Sequence, residues 1–254
     1  MIDTHSHLFD EAFQEDLEEC LKRCKEAHVN KIVLVGFSKK TNQQAQEYSK
    51  KYPIFYATAG LHPSEADSNY VQALAELEDF IQEHKVYAIG ECGLDYHYGK
   101  NNVEEQKKLF RGQIELSIKY HLPLIIHMRD ATQDTYELIK EYAGKVFGVM
   151  HCYSGSYEMA LEFIKLGFYI SLGGPVTFKN AKESKRIASL IDLQHLLVET
   201  DCPYLAPTPY RGTRNESSYV QYVVQEIAEL RNMQKEDVEK ITASNAIKLF
   251  NLED

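Results

Sequence analysis

Short runs of β-branched and apolar residues alternate with longer amphipathic stretches along this chain, and that alternation limits its fold more than any other feature. Strands are expected at 2–7, 31–36, 54–60, 86–91, 123–128, 148–152, 169–174 and 196–200. Apolar residues at helical spacing mark 13–27, 41–51, 71–83, 104–120, 132–142, 157–166 and 181–191, then about 218–231 and 235–250. The run 31–35, after its leading Lys31, and the run 123–126 are apolar rather than alternating, which marks strands covered on both faces, as in a parallel sheet flanked by helices. Strict repetition of the strand–helix unit predicts a single α/β domain over 1–254, a closed (β/α)8 TIM barrel. An open doubly wound sheet is the alternative.

Length and composition agree with one soluble domain. The 254 residues suffice for an undivided barrel, and 44% hydrophobic with 26% charged residues is ordinary for a globular chain. No apolar run reaches the ~18 residues of a membrane span, and a basic region followed by an apolar one is absent at the N-terminus, so a cytoplasmic location is expected. The five cysteines have no framework spacing and read as packing residues. Cys92, Cys152 and Cys202 each follow a potential ligand, and strand alternation turns their thiols toward the surrounding helices. A net charge of −10 argues against a protein that coats duplex nucleic acid, though not against a phosphate-bearing substrate held in a local pocket.

The polar residues fall in one place. His5 and His7, two apart on the first strand, point to the same side. His62, Glu91, His127, His151 and Asp201 follow at the carboxyl ends of later strands, the rim where barrel enzymes assemble their sites. Imidazoles mixed with Glu91 and Asp201 suit a pair of divalent cations, and Glu91 is of the type that bridges two ions. Such a pair activates water for hydrolysis. His28, His84, His121 and His195 belong to the opposite rim or the surface, and His97 to the loop after the fourth strand.

Several strings resemble the signatures of the TatD family of metal-dependent deoxyribonucleases. They are Asp3-Thr4-His5-Ser6-His7, Gly60-Leu61-His62-Pro63, Gly90-Glu91-Cys92-Gly93-Leu94-Asp95-Tyr96, Ile126-His127-Met128-Arg129, His151-Cys152-Tyr153-Ser154-Gly155 and Glu199-Thr200-Asp201-Cys202-Pro203-Tyr204-Leu205. The likeness continues to Arg211-Gly212, Asn215 and Ser244-Asn245-Ala246. It implies a TIM barrel of the amidohydrolase-like group, two divalent ions per chain (Mg, Mn or Zn), and cleavage of DNA single strands or ends. By position, His5, His7, Glu91 and Asp201 would hold one ion, and Glu91, His127 and His151 the other. Glu91 and Asp201 would be catalytic, Asp201 orienting or deprotonating the attacking water. His62 and Arg129 would face the scissile phosphate, and Asp95 would order its loop or a histidine. One departure stands out. Where the family has Asn-x-Pro, this chain has Asn215-Glu216-Ser217, and loss of the proline is expected to leave the loop less constrained.

Arg211 and Arg214 are candidates for contacting the nucleic-acid backbone, and Tyr96, Tyr98, Tyr153 and Tyr210 lie in loops where they could stack on bases. No membrane or obligate protein partner is evident. The alternative activity keeps the metals and changes the bond: an amidohydrolase-like or ester hydrolase, such as an aminoacyl-tRNA deacylase. A metal-holding scaffold without turnover is a third reading, which the retention of Glu91 and Asp201 opposes.

Overall fold

All eight expected strands form, and every pairing among them is parallel. The computed structural model describes residues 1–97, 99 and 101–252. The strands are β1 (Ile2–Ser6), β2 (Lys31–Leu34), β3 (Phe55–Ala57), β4 (Ile89–Asp95), β5 (Leu124–Arg129), β6 (Gly148–Met150), β7 (Phe168–Leu172) and β8 (Leu196–Val198). Between and after them run α1 (Leu17–Glu26), α2 (Lys39–Lys51), α3 (Tyr70–Glu83), α4 (Val103–Tyr120), α5 (Thr132–Lys140), α6 (Tyr157–Lys165), α7 (Lys182–Leu190), α8 (Val220–Arg231) and α9 (Lys235–Phe250). No helix among the described residues is long and apolar enough to cross a membrane.

The strands fall in sequence order into β1-β2-β3 and β4-β5-β6-β7-β8. Single parallel bridges join the two sheets at both seams, Ala59 to Ile89 and Ser6 to Cys202, so a ring forms through bridges rather than full ladders there. At the first seam a Cβ on Gly60 would lie 2.5 Å from the Gly90 backbone, an approach that requires glycine at 60. Inside the ring, Ile2, Val33, Ala88, Ile125, Val149 and Leu197 pack together, and Ala246, Leu249 and Phe250 of α9 close that cluster from below. Asn245 holds α9 in place by donating to the carbonyls of Leu193 (2.7 Å) and Leu196 (2.9 Å). A second, larger core lies between strands and helices.

The boundaries differ from expectation in two instructive ways. β4 runs from Ile89 to Asp95, so Glu91 sits inside the strand rather than at its end. The register of β4 against β5 shifts between Ile89 and Cys92, and that irregularity re-aims Glu91 toward the barrel mouth. At the N-terminus, helix does not begin at residue 13. Asp10 accepts from the Ala12 N–H (2.8 Å) and caps a single turn, Glu11–Phe13, before α1 starts at Leu17.

Candidate metal centre

Glu91 stands between two pairs of histidines, all at the carboxyl side of the barrel. Its Oε2 lies 3.6 Å from His5 Nε2 and 4.0 Å from His7 Nε2. Its Oε1 lies 2.8 Å from His127 Nδ1 and 2.9 Å from His151 Nε2. Asp201, three residues past β8 and in left-handed backbone (φ 57°), brings Oδ1 to 3.7 Å from His5 Nε2 and 3.5 Å from His7 Nε2. The two Nε2 atoms of His5 and His7 are 3.3 Å apart, and His127 Nδ1 is 3.4 Å from His151 Nε2. A tetrahedral ion ~2.1 Å from its ligands separates them by about 3.4 Å. The spacings around His5, His7 and Asp201 match that figure, while the two short contacts to Glu91 Oε1 have hydrogen-bond length. His5–His7–Asp201 and Glu91–His127–His151 are each arranged so that they could hold a metal ion.

The outward-facing ring nitrogens support this use. His7 Nδ1 donates to the Val35 carbonyl (2.9 Å), which leaves Nε2 as the free lone pair facing Glu91 and Asp201. His127 Nε2 donates to Asp95 Oδ2 (2.9 Å), which leaves Nδ1 facing Glu91. His151 Nδ1 is directed at Glu199 Oε1 (3.3 Å), again leaving Nε2 for the centre. An oxygen behind each imidazole fixes its tautomer and raises its basicity, the usual arrangement of metal-binding histidines. Asp95 therefore serves a histidine and also caps its loop, accepting from the His97 N–H (2.9 Å).

Charge is balanced within the cluster. Burial alone would raise the Glu91 carboxyl, but His151, His127 and His5 overcome it and hold the group well below the usual carboxylate range. Burial likewise opposes ionisation of Asp201, and His7, His5 and His151 reverse the effect. For His151, burial favours the neutral ring, yet Glu91 and Glu199 raise its pKa well above the ordinary value. His62 goes the other way. Burial, aided by His127 and His151 against the pull of Glu91, lowers it to about 4. Its Nδ1 accepts from the Ser64 N–H (3.1 Å), so the neutral ring carries its proton on Nε2, 4.0 Å from Glu91 Oε1.

A cavity of about 460 Å³ opens beside these groups, lined by His127, Arg129, His151 and Asp201 on one side. Leu172, Pro175, Val176, Tyr204 and Leu205 form its apolar wall. The family model described as TatD related DNase matches residues 2–251. The chain belongs to the TatD family. The uncharacterized metal-dependent hydrolase YabD of Bacillus subtilis (strain 168) is 47% identical over 253 residues, covering 99% of both chains. YcfH of Escherichia coli (strain K12), also called an uncharacterized metal-dependent hydrolase, is 31% identical over 100% of this chain and 96% of its own. Among solved structures, YJJV, a TatD homolog from Escherichia coli K12, superposes with a TM-score of 0.93 at 30% identity, covering 100% of this chain and 98% of that one.

Within this TatD-family site, His5, His7, Glu91, His127, His151 and Asp201 converge, with His62 and Arg129 at its edge. The loop arginines do not join them. Arg214 is taken up by Asp16, at 2.7 and 2.6 Å, and lies over the Phe13 ring. Arg211 is exposed, its guanidinium 4.3 Å from the centre of Phe178. The loop without its proline is held by side chains instead. Asn215 donates to the carbonyls of Thr200 and Tyr204 (both 2.7 Å), and Glu216 receives Arg23 at 2.8 and 2.7 Å. The expected looseness is thus overturned.

Tyr96 and Tyr153 are buried, and Tyr210 has one face stacked on Tyr219 (4.4 Å between centroids); Tyr98 lies outside the described residues. Cys92 and Cys202 pack in the outer core as expected, but Cys152, beyond β6 with φ 42°, lines the cavity. Sequence reasoning missed Glu199, Tyr204 and Leu205. Glu199 stands two residues before Asp201, and strand alternation could have placed it on the same side. Tyr204 and Leu205 carry no such signal; their exposure, 56% and 43%, emerges only from the fold.

Proposed function

We propose that this TatD-family hydrolase cleaves phosphodiester bonds of DNA, at single strands or ends, using two divalent ions. The observation that carries the reading is the division of Glu91, one carboxylate oxygen toward His5 and His7 and the other toward His127 and His151. His5, His7, Glu91 and Asp201 would hold one ion, and Glu91, His127 and His151 the second; mixed nitrogen and oxygen donors suit Mn or Zn, and Mg less well. Such ions polarise phosphoryl oxygens and acidify water. The chain supplies the rest. Asp201, ionised and partly open to the cavity, accepts the proton of the attacking water. His62, neutral with its proton on Nε2, donates to a non-bridging oxygen as charge builds there. Arg129, at the end of β5 on the cavity wall, offers the positive charge. The exposed Tyr204 and Leu205 give a base an apolar face beside its phosphate. A cavity of about 460 Å³ admits one strand or end rather than a duplex.

The test is to strip the protein of metal, reload it with Mg²⁺, Mn²⁺ or Zn²⁺, and offer end-labelled single-stranded and duplex DNA beside an aminoacyl-tRNA and an amide. DNA should be cut with at least one metal, and Asp201→Asn and Glu91→Gln should each lower the rate by about 10²–10⁴-fold. Cleavage of the ester or amide with no DNA cut under any metal would overturn the reading.

A further inference from the structure

Three of the four imidazoles in the centre have an oxygen behind the ring: Val35 for His7, Asp95 for His127 and Glu199 for His151. His5 has none assigned. Its Nδ1 is buried without a hydrogen-bond partner. One other atom in the neighbourhood is in the same condition, Glu199 Oε2. The two residues are close: a ring nitrogen of His5, one of His151 and a carboxylate oxygen of Glu199 all lie within 4.8 Å of one another. The His5 and His151 rings stack at 4.0 Å between centroids, so a group behind one is also behind the other. His5 Nε2 is turned to Glu91, Asp201 and His7, which makes Nδ1 the nitrogen left to carry the proton.

We infer that Glu199 is the positioning residue shared by both halves of the centre, one oxygen serving His151 and the other His5. Its place in the fold suits that role. The side chain is 1% exposed, on the residue that follows β8, and its backbone N–H donates to Leu172 of β7 (3.1 Å). Oε1 also accepts from the Cys152 N–H (2.7 Å), so it holds the main chain as well as the ring of the His151 segment, at a residue in left-handed backbone. Oε2 reaches His5 Nδ1 through a small rotation or one bridging water. A buried carboxylate left with one oxygen unused costs free energy, as does an orphaned imidazole N–H, and pairing them removes both costs. Glu199 thereby fixes two tautomers, one from each proposed ion site, without touching either ion. The inference rests on the two-ion reading for its consequence but not for its geometry.

The test uses the full chain with Glu199→Gln and Glu199→Leu. The glutamine keeps one acceptor oxygen for His151 and Cys152 but turns an amide donor toward His5; the leucine removes both acceptors. Chelator competition with Mn²⁺ and Zn²⁺ should show metal affinity falling 10–100-fold for Glu199→Leu, with full occupancy recovered at excess metal. Glu199→Gln should weaken one equivalent more than the other. Histidine ¹⁵N–¹H correlation spectra, taken metal-free and Zn²⁺-loaded, should show the Nδ1–H signals of His5 and His151 in the parent. Both should shift in Glu199→Leu, and His5 more than His151 in Glu199→Gln. Unchanged spectra and affinities within threefold in folded variants would overturn the assignment. Permanent loss of one metal equivalent at saturation would overturn it too, by making Glu199 a ligand. A parent that binds no metal defeats the two-ion reading, while the metal-free spectra still decide the placement of Glu199.

Discussion

Arg214 was a candidate for the nucleic-acid backbone, and its surroundings make it a brace, so Arg214→Ala should lower stability and leave catalysis alone. The guanidinium forms a two-pronged pair with Asp16, donates to the Ala12 carbonyl and covers the Phe13 ring at 4.6 Å. With the Arg214 and Asp16 side chains 31% and 36% exposed, solvent screens the ion pair to about 0.5–1 kcal/mol. The ring contact adds about 0.5–1 kcal/mol. A loss of about 1–2 kcal/mol corresponds to a fall in Tm of about 2–8 °C for a domain of this size. The effect should also depend on pH. The hydrogen bonds and charge of Arg214 lower the Asp16 carboxyl from 3.8 to about 2, so between these values the folded chain binds fewer protons than the unfolded one. The contribution is complete above pH ~4 and is lost as pH falls toward 2. Urea unfolding of parent and variant from pH 7 down to 3 measures it, and the gap between them should narrow below pH ~4. Unchanged stability with a tenfold rise in KM for DNA would refute the brace and return Arg214 to the substrate.

Metal loading should stabilise the protein: an ion at 100 times its Kd contributes about 2.7 kcal/mol, or about 5–10 °C in Tm by calorimetry, reversed by EDTA. Gly60→Ala drives a methyl into the Gly90 backbone, 2.5 Å away, and should cost about 1–3 kcal/mol in urea unfolding while displacing Glu91 enough to reduce turnover. Tyr204→Ala should raise KM for single-stranded DNA about 5–150-fold, the range of one lost stacking contact, with kcat changed little; steady-state kinetics on an oligonucleotide would show this, and an unchanged KM would remove Tyr204 from the substrate path.

Much of this centre could be read from the chain because its ligands sit in strands whose period is visible, or within three residues of their ends. His5 and His7 share a face by alternation alone, His127 follows an apolar run with a parallel-sheet signature, and His151 and Asp201 come at the carboxyl ends of expected strands. What stayed hidden depends on contacts between distant segments. Arg214 and Asp16 are 198 residues apart, and no local pattern announces that one arginine of a loop will be consumed while Arg211 stays at the surface. Glu216 raised the opposite difficulty. Ser217 beside it, in place of the family's proline, looked like lost rigidity, yet Arg23, 193 residues before Glu216, restores it. Side-chain pairing replaced a backbone constraint, and sequence spacing reports only the constraint that disappeared.

The two seams of the barrel explain why ligand placement and ring closure depend on each other. At the seam between β1 and β8, the Asp201 N–H donates to the His5 carbonyl (2.9 Å) and the His7 N–H to the Cys202 carbonyl (3.0 Å). Asp3 secures the same seam, accepting from the Thr200 N–H (2.9 Å) and hydroxyl (2.6 Å). These bonds join the first strand to the segment after the last and simultaneously set His5 and His7 against Asp201. At the seam between β3 and β4, the Gly90 N–H donates to the Ala59 carbonyl (3.0 Å), and the glycine contact lets Glu91 and His62 approach. From β5 to β8 adjacent strands pair by continuous ladders. The strands on one side of each seam, β1 and β4, are irregular as well, their registers against β2 and β5 shifting between Asp3 and Ser6 and between Ile89 and Cys92. A substitution that loosens the seam between β1 and β8 is therefore expected to weaken metal binding before it unfolds the barrel, since His5, His7 and Asp201 lie on the bonded residues themselves.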